Sequence, residues 1–254
     1  MPSIDLNCDM GEAFGNYPMP NDEILLNYIS SASIACGFHA GDPNVMQTTV
    51  NAAIKKGVAI GAHPGLPDLQ GFGRREMQVS PNEVYQMMLY QIGALHAFVK
   101  AAGGRLNHVK AHGALYNMAG RDPLLARAIV DAVHDFDPGL ILFALAGSEM
   151  VVAAKQTGLA FASEVFADRT YQDDGSLTPR SHSDALITDE QQSLKQVLMM
   201  IKKQQVLSIN NKVVPLKADT LCLHGDGLHA VEFAKTVHET LVGRGIVIEA
   251  LARQ

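Results

Sequence analysis

The sequence predicts an α/β barrel, and three observations carry that reading. Short extended runs alternate with longer helical ones along all 254 residues, the strands present one apolar face and one small or polar face, and ionisable residues gather just past the strand ends. A strand followed by a helix, repeated seven or eight times, means parallel strands joined by right-handed crossovers. An open doubly wound sheet is covered by helices on both faces and is apolar on both. A barrel with a narrow, partly polar interior suits the alternation better, and about 250 residues is a common size for one. No linker rich in Pro, Gly or Ser and no repeat divides the chain, so one domain over 1–254 is expected.

The strands are expected at 3–9, 31–38, 58–62, 107–111, 140–145, 160–165, 220–223 and 246–248. In the first, Ile4, Leu6 and Cys8 share one face while Asp5, Asn7 and Asp9 share the other, by the two-residue period. In the second, Ile34, Cys36 and Phe38 oppose Ser33, Ala35 and Gly37, followed by His39. In the third, Val58 and Ile60 oppose Ala59 and Gly61, followed by His63. The same parity turns Lys110 inward in the fourth, as an ion-pair partner of Asp5 or Asp9 or as a catalytic or phosphate-binding group.

Helix punctuation lies between the strands. Asp42-Pro43 is an N-cap with proline at the first helical position, and Lys55-Lys56-Gly57 is a basic last turn with a glycine stop. Ser80-Pro81-Asn82-Glu83 is a capping box opening a helix with Val84, Met88, Ile92, Leu95 and Val99 along one stripe. Thr188-Asp189-Glu190-Gln191 opens another, burying Leu194, Val197, Leu198 and Ile201. Segments 64–78 and 167–187 lack apolar periodicity, and connections of that length are often functional. Around 205–217, two short extended runs flank Asn210-Asn211, a hairpin that decorates the barrel.

Composition narrows the function. With 20 Lys+Arg against 26 Asp+Glu, the charge is −6, which disfavours a phosphate-backbone binder, so no nucleic-acid partner is expected. The run at 140–146 is far short of the roughly 20 apolar residues a membrane helix needs, and the acidic 1–9 segment does not resemble a signal peptide. A soluble, cytoplasmic protein is expected. Cys8, Cys36 and Cys222 are too few and too scattered for a disulfide framework and read as buried small hydrophobes.

The chemistry sits after the strands. Asp9-Met10-Gly11-Glu12, His39-Ala40-Gly41-Asp42, His63-Pro64-Gly65, His112-Gly113, Asp168-Arg169 and His224-Gly225-Asp226 all fall where barrel strands end, the rim that carries active sites. Four histidines in register with acids and glycines outweigh the structural role that any one of them would be given alone. His108 and His112, four apart, are about 13 Å apart on a strand and cannot share a metal. Arg74-Arg75 reads as an anion clamp or a solvated turn, Asp173-Asp174-Gly175 as a plain turn, and His96, His134 and His238 as helix residues without a functional role. There is no phosphate loop, no Gly-x-Gly-x-x-Gly after a strand and no Gly-x-Ser-x-Gly elbow.

The segments Asp5-Leu6-Asn7-Cys8-Asp9-Met10-Gly11-Glu12, Ala35-Cys36-Gly37-Phe38-His39-Ala40-Gly41-Asp42-Pro43, Gly61-Ala62-His63-Pro64-Gly65 and Gly71-Phe72-Gly73-Arg74-Arg75 resemble the LamB/YcsF family. Val109-Lys110-Ala111-His112-Gly113-Ala114-Leu115-Tyr116, Glu164-Val165-Phe166-Ala167-Asp168-Arg169 and Cys222-Leu223-His224-Gly225-Asp226 continue the resemblance in the same order, with Ala111 where proline is common. That family supplies the A component of the prokaryotic ATP-dependent 5-oxoprolinase. The resemblance implies a distorted (β/α)7 TIM-like barrel of the glycoside hydrolase/deacetylase superfamily. It implies opening of 5-oxo-L-proline to L-glutamate, with ATP as co-substrate used by partner subunits B and C. Under it, Asp9 serves as general base or orients a histidine that does, while His39 and His63 stabilise charge or protonate the leaving nitrogen. Lys110 and Arg75 bind phosphate or carboxylate, and Asn7, Glu12, His112, Glu164, Arg169, His224 and Asp226 shape the pocket. Two other readings stand beside it: a metal-dependent amide hydrolase or deacetylase with the ion on Asp9, His39 and His63, and a non-catalytic carrier of 5-oxoproline.

Overall fold

The structure is a computed structural model that describes residues 2–223 and 229–253; His224 and Asp226 lie outside the described residues. In chain order the elements are β1 (Ser3–Met10), α1 (Asp22–Leu25), β2 (Ser31–Ala35), α2 (Pro43–Lys56), β3 (Ala59–His63), α3 (Pro81–Ala101), β4 (Leu106–Lys110), α4 (Gly113–Arg121) and α5 (Pro123–Phe136). There follow β5 (Ile141–Leu145), α6 (Glu149–Thr157), β6 (Phe161–Phe166), α7 (Glu190–Lys203), β7 (Gln205–Leu207), β8 (Val213–Pro215), β9 (Thr220–Leu223), α8 (Ala230–Gly243) and β10 (Val247–Ile248). Strands β1 to β6 and β9 pair in parallel, and β9 closes back on β1, giving a seven-stranded barrel. The antiparallel β7–β8 hairpin stands outside it, and β10 pairs only with Ser3 and Ile4 at the foot of β1.

The register explains why this sequence closes. Asp5 pairs with Thr220, Asn7 with Ser31 and Cys222, Asp9 with Ser33, and Gly61 with Ser33 and His108, so one side chain in two from every strand turns into the barrel. The outward set, including Leu6, Cys8, Ile34, Ile60 and Val109, is fully or nearly fully buried under the helices. On α3 the whole stripe of Val84, Met88, Ile92, Leu95 and Val99 is inaccessible to solvent. The cap signals form as expected at two helices. Asp42 accepts from the Asn44 and Val45 amides at 2.9 Å each, and the Ser80–Glu83 capping box is complete. At α7 the cap is Asp189 rather than Thr188, accepting from Gln192 N at 2.6 Å, because the first helical residue is Glu190.

The interior is filled in two levels. In the lower one, His108 stacks on Phe143 (4.1 Å between centroids, 10° between planes) and faces Ser33 Oγ at 3.3 Å. The ring lies so close to β3 that a Cβ on Gly61 would sit 2.1 Å from it, so glycine is required there. Leu251 packs on Ile141, Phe143 and Ala162, and Arg253 donates to Leu106 O at 2.6 Å and Gly139 O at 3.0 Å, so the C-terminal tail plugs the foot. Asp5 is also buried at this end. Its carboxylate accepts hydrogen bonds from Ser30 (2.7 Å), Ser31 (2.6 Å) and Thr220.

Burial pushes the Asp5 carboxyl up to about 6 from 3.8, against those hydroxyl hydrogen bonds. The folded chain thus keeps this proton to about pH 6 whereas the unfolded chain releases it near 3.8. The stabilisation is complete below the unfolded value and is lost as pH rises through the folded one. A shift of about 2 units is worth about 3 kcal/mol. Asp5→Asn, neutral at every pH, should therefore gain about 3 kcal/mol on the wild type between about pH 4 and pH 8 in urea unfolding. A difference that does not change with pH would contradict this.

Candidate active site

The upper level of the barrel is organised by a buried ammonium. Lys110 Nζ lies 2.7 Å from Glu164 Oε1, 2.8 Å from Asp9 Oδ1, 3.1 Å from Asn7 Oδ1 and 3.2 Å from Cys222 Sγ. Its three protons are thereby taken by three oxygens. Glu164, wholly buried, also accepts from Tyr116 Oη at 2.6 Å and from Asn7 Nδ2 at 3.0 Å. Burial alone would lower the Lys110 ammonium, but Asp9, Cys222 and Glu164 drive it well above its ordinary value. Burial alone would likewise raise Asp9, yet His63 and Lys110 hold its carboxyl well below the usual range. Burial and the nearby Glu164 carboxylate push the Tyr116 hydroxyl well up, so it stays a donor.

Above Lys110 sits a histidine cluster drawn from three connections. His63 ends β3, His39 lies in the loop after β2, and His112 is the N-cap of α4. His39 and His112 stack with centroids 3.7 Å apart and planes 2° from parallel, and His63 stands edge-on to both. His63 Nδ1 donates to Lys110 O at 2.8 Å and His112 Nε2 donates to Phe72 O at 2.8 Å. Those carbonyls fix both tautomers, leaving His63 Nε2 and His112 Nδ1 facing each other at 2.9 Å. Glu12 Oε1 lies 3.3 Å from His39 Nε2, 3.4 Å from His112 Nδ1 and 4.0 Å from His63 Nε2, and Asp9 Oδ2 lies 3.3 Å from His63 Nε2. His39 Nδ1 is buried without a hydrogen-bond partner. Burial, then neighbouring imidazoles, hold both His39 and His112 well below the ordinary histidine value, so both rings are neutral.

The 64–80 connection builds one wall. Phe72 has φ +55° and Gly73 φ +63°. A Cβ on Gly73 would lie 2.7 Å from His39 Cβ and 2.8 Å from His112 Cδ2, so only glycine lets this stretch of chain lie against the stacked rings. Phe72, a non-glycine in the left-handed region, meets both rings edge-on and supplies the carbonyl that orients His112.

A cavity of about 270 Å³ opens above these groups, with Asp9, Glu12, His63, Lys110 and His112 in its floor. The exposed Arg74, Arg121 and Arg180 stand around the mouth, and the buried Arg169 and Thr178 line the cavity as well. Both long connections thus reach the cavity.

The structure revises several expected placements. Arg75 is turned away, with its guanidinium bound to Asp68 and its side chain 64% exposed; its neighbour Arg74 faces the cavity. Asn7 and Glu164 lie beneath the floor, gripping Lys110. Lys110 pairs with Asp9 and Glu164, not Asp5, and still lines the cavity. His39 is not part of the second strand, which stops at Ala35; it backs His112 and does not line the cavity. Arg169 lines the cavity while donating to Thr178 O and Ala185 O, which ties down the 167–189 connection. Among the described residues the metal-competent donors are Glu12, His39, His63 and His112, all within 4.8 Å of one another; Glu12 and His112 join the group, and Asp9 is held by Lys110. Tyr116 is a site residue that strand parity does not reach, although it falls one helical turn after the capping residue His112, which aims it back over the barrel. Thr178 and Arg180 carry no sequence signal beyond lying in a long connection, whereas Arg74 shares with Arg75 the reading as an anion clamp.

A closed parallel barrel with a polar interior and an ionisable cluster on its carboxyl rim places the molecule among α/β-barrel proteins with rim active sites. The chain belongs to the LamB/YcsF family, which it matches over residues 4–254. It is 60% identical over 254 residues to the A subunit of 5-oxoprolinase from Geobacillus thermodenitrificans, covering 100% of this chain and 99% of that one. It is 56% identical over 250 residues to that of Brevibacillus brevis, covering 98% of both. Among solved structures it is similar to a lactam utilization protein from Thermus thermophilus, at 46% identity and TM-score 0.93, covering 98% of this chain and all of that one. A family 4 carbohydrate esterase from Streptomyces lividans shares the fold at 11% identity and TM-score 0.52, covering 99% of this chain and 93% of the esterase. Among the described residues no helix is long and apolar enough to cross a membrane.

Removing the central cation should expose its cost. Lys110→Met leaves Asp9 and Glu164 without their partner and should destabilise the fold by about 3–5 kcal/mol, measured by urea unfolding. Adding Glu164→Gln should recover part of that loss in a double-mutant cycle.

Proposed function

We propose that this chain is the A component of a cytoplasmic, ATP-dependent 5-oxoprolinase, opening 5-oxo-L-proline to L-glutamate with partner subunits B and C. The observation that carries the reading is an ionised carboxylate beside two imidazoles, His63 and His112, in the floor of a small cavity. It occurs in a chain that is similar over its full length to proteins bearing that name. An unstrained lactam is a poor electrophile. Phosphorylation of its oxygen at the expense of ATP, assigned here to the partners, makes the ring carbon electrophilic. Water adds there, the C–N bond breaks as the nitrogen is protonated, and the acyl phosphate so formed is hydrolysed by a second water to glutamate and phosphate. The cavity thus receives an activated five-membered ring, and the missing phosphate loop is in keeping with that division of labour.

Within the cavity, Asp9 is ionised and held by Lys110 with Oδ2 turned to His63, and it accepts a proton from the attacking water. The cluster of His63 and His112 beside Glu12 lies where charge develops on the tetrahedral centre and on the leaving nitrogen. Arg74 and Arg180 at the mouth supply positive charge for the phosphate and the substrate carboxylate.

The decisive experiment mixes this protein with its partner subunits, ATP and 5-oxoproline and follows glutamate release. Turnover that requires this chain supports the proposal. Binding of 5-oxoproline with no effect on turnover makes the chain a carrier, and amide hydrolysis by the chain alone without ATP makes it a deacetylase-type enzyme. In the active complex, Asp9→Asn should lower kcat by about 10²–10⁴-fold, the usual contribution of a positioned base. Arg74→Ala should raise KM while Arg75→Ala leaves it unchanged; the opposite order would return the anion-binding role to Arg75.

A further inference from the structure

We propose that Glu12, His63 and His112 form a binding site for one divalent transition-metal ion of the zinc class, with an open coordination position facing the cavity. The inference deepens the reading of the same cavity but rests on the geometry of the donor atoms.

The first step is the hydrogen bonding behind the rings. His63 gives its Nδ1 proton to Lys110 O and His112 gives its Nε2 proton to Phe72 O, each at 2.8 Å. Metal-bound histidines are commonly oriented in this way, by a carbonyl or carboxylate on the nitrogen remote from the ion. Both rings then present a lone pair to the same point. In the neutral rings these are two lone pairs 2.9 Å apart, with the Glu12 carboxylate 3.4 and 4.0 Å away, and they repel one another unless a proton or a metal ion joins them.

The second step is size. Ligand atoms about 2.0–2.1 Å from a tetrahedral ion stand about 3.3 Å from one another. The three separations in the site, 2.9, 3.4 and 4.0 Å, bracket that value. Two imidazoles and a carboxylate are a donor set that zinc accepts, and three protein ligands with one free position make a catalytic rather than a structural site.

The third step concerns the two groups left out. His39 is parallel to His112, 2° between planes, so the in-plane lone pairs of the two rings do not converge on one ion. His39 Nε2 instead lies 3.3 Å from Glu12 and supports that carboxylate. His39 does not line the cavity, whereas Glu12, His63 and His112 all do. Asp9 has one oxygen on Lys110 and the other toward His63, beside the open position rather than within the ligand set.

The test uses the isolated full-length chain, stripped with a chelator and titrated separately with Co²⁺, followed by visible absorption, and Zn²⁺, followed by elemental analysis. A single saturable ion per chain is expected. Glu12→Gln, His63→Ala and His112→Ala should each weaken binding by more than the roughly 10–100-fold typical of outer-shell partners, and His39→Ala by an amount within that range. His182→Ala, on the surface, should bind as the wild type does. Circular dichroism and melting temperature identify any variant that has failed to fold. Failure of the folded wild type to bind, binding indifferent to the three ligand substitutions, or nitrogen NMR showing a proton shared between His63 and His112 that added metal does not displace, would overturn the site. No lactam, ATP or partner enters the measurement, so its failure is distinguishable from failure of the oxoprolinase reading.

Discussion

The pairing of Lys110 with Asp9 and Glu164 is the interaction on which the rest of the molecule depends. An ammonium in the middle of a barrel is tolerable only if every proton finds an oxygen, and here Asn7 completes the set. The four side chains come from β4, β1 and β6, so the ion cluster ties strands far apart in sequence across the interior. It also divides the barrel. Below it His108 and Phe143 stack in a closed core that the tail seals; above it the space belongs to the cavity. Because Lys110 also offers its backbone carbonyl to His63, one residue fixes both the carboxylate and the imidazole at the cavity floor.

A barrel that holds such a cluster needs small residues opposite it. Ser31, Ser33 and Ala35 on β2 and Gly61 on β3 make room for His108 and the groups above it. The same requirement for space recurs at the rim, where Gly73 lets the 64–80 connection lie against stacked histidines and Phe72 accepts an unfavourable backbone conformation to orient His112. Small side chains and the left-handed Phe72 therefore fall where the chain passes the cluster, while α2 and α3 keep regular N-caps and buried apolar faces. That distribution is what a site held by its scaffold requires.

Parity along the strands makes much of this legible in the sequence. The alternation of Ile4, Leu6 and Cys8 with Asp5, Asn7 and Asp9 assigns inside and outside because a strand has only two faces, and the same parity turns Lys110 inward, where the structure has it. Loops have no such period. His39 follows a strand that ends four residues earlier, so parity does not extend to it, and its role as a stacking neighbour of His112 depends on a turn. Arg74 and Arg75 are adjacent and chemically alike; only the path of the chain through Phe72 and Gly73 sends one to the cavity and the other to Asp68. Glu12 and Tyr116 come into the site through positions just past a strand and one turn into a helix, where direction is set by local dihedrals rather than by pattern.

The most consequential detail is not readable in the sequence at all: which nitrogen of each histidine faces the cavity. A sequence shows that histidines fall near strand ends, but their chemistry follows from the acceptors behind them. Here both acceptors are backbone carbonyls, Lys110 O and Phe72 O, which cannot change protonation state with pH and which hold the rings against rotation. The consequence is a fixed pair of inward lone pairs beside a carboxylate, a site built to receive positive charge. The carbonyl of Lys110 belongs to the residue whose side chain anchors Asp9, so a shift of β4 would move the base and the imidazole together. The ion cluster at the centre of the barrel and the electron-rich cluster at its rim are therefore one mechanical unit.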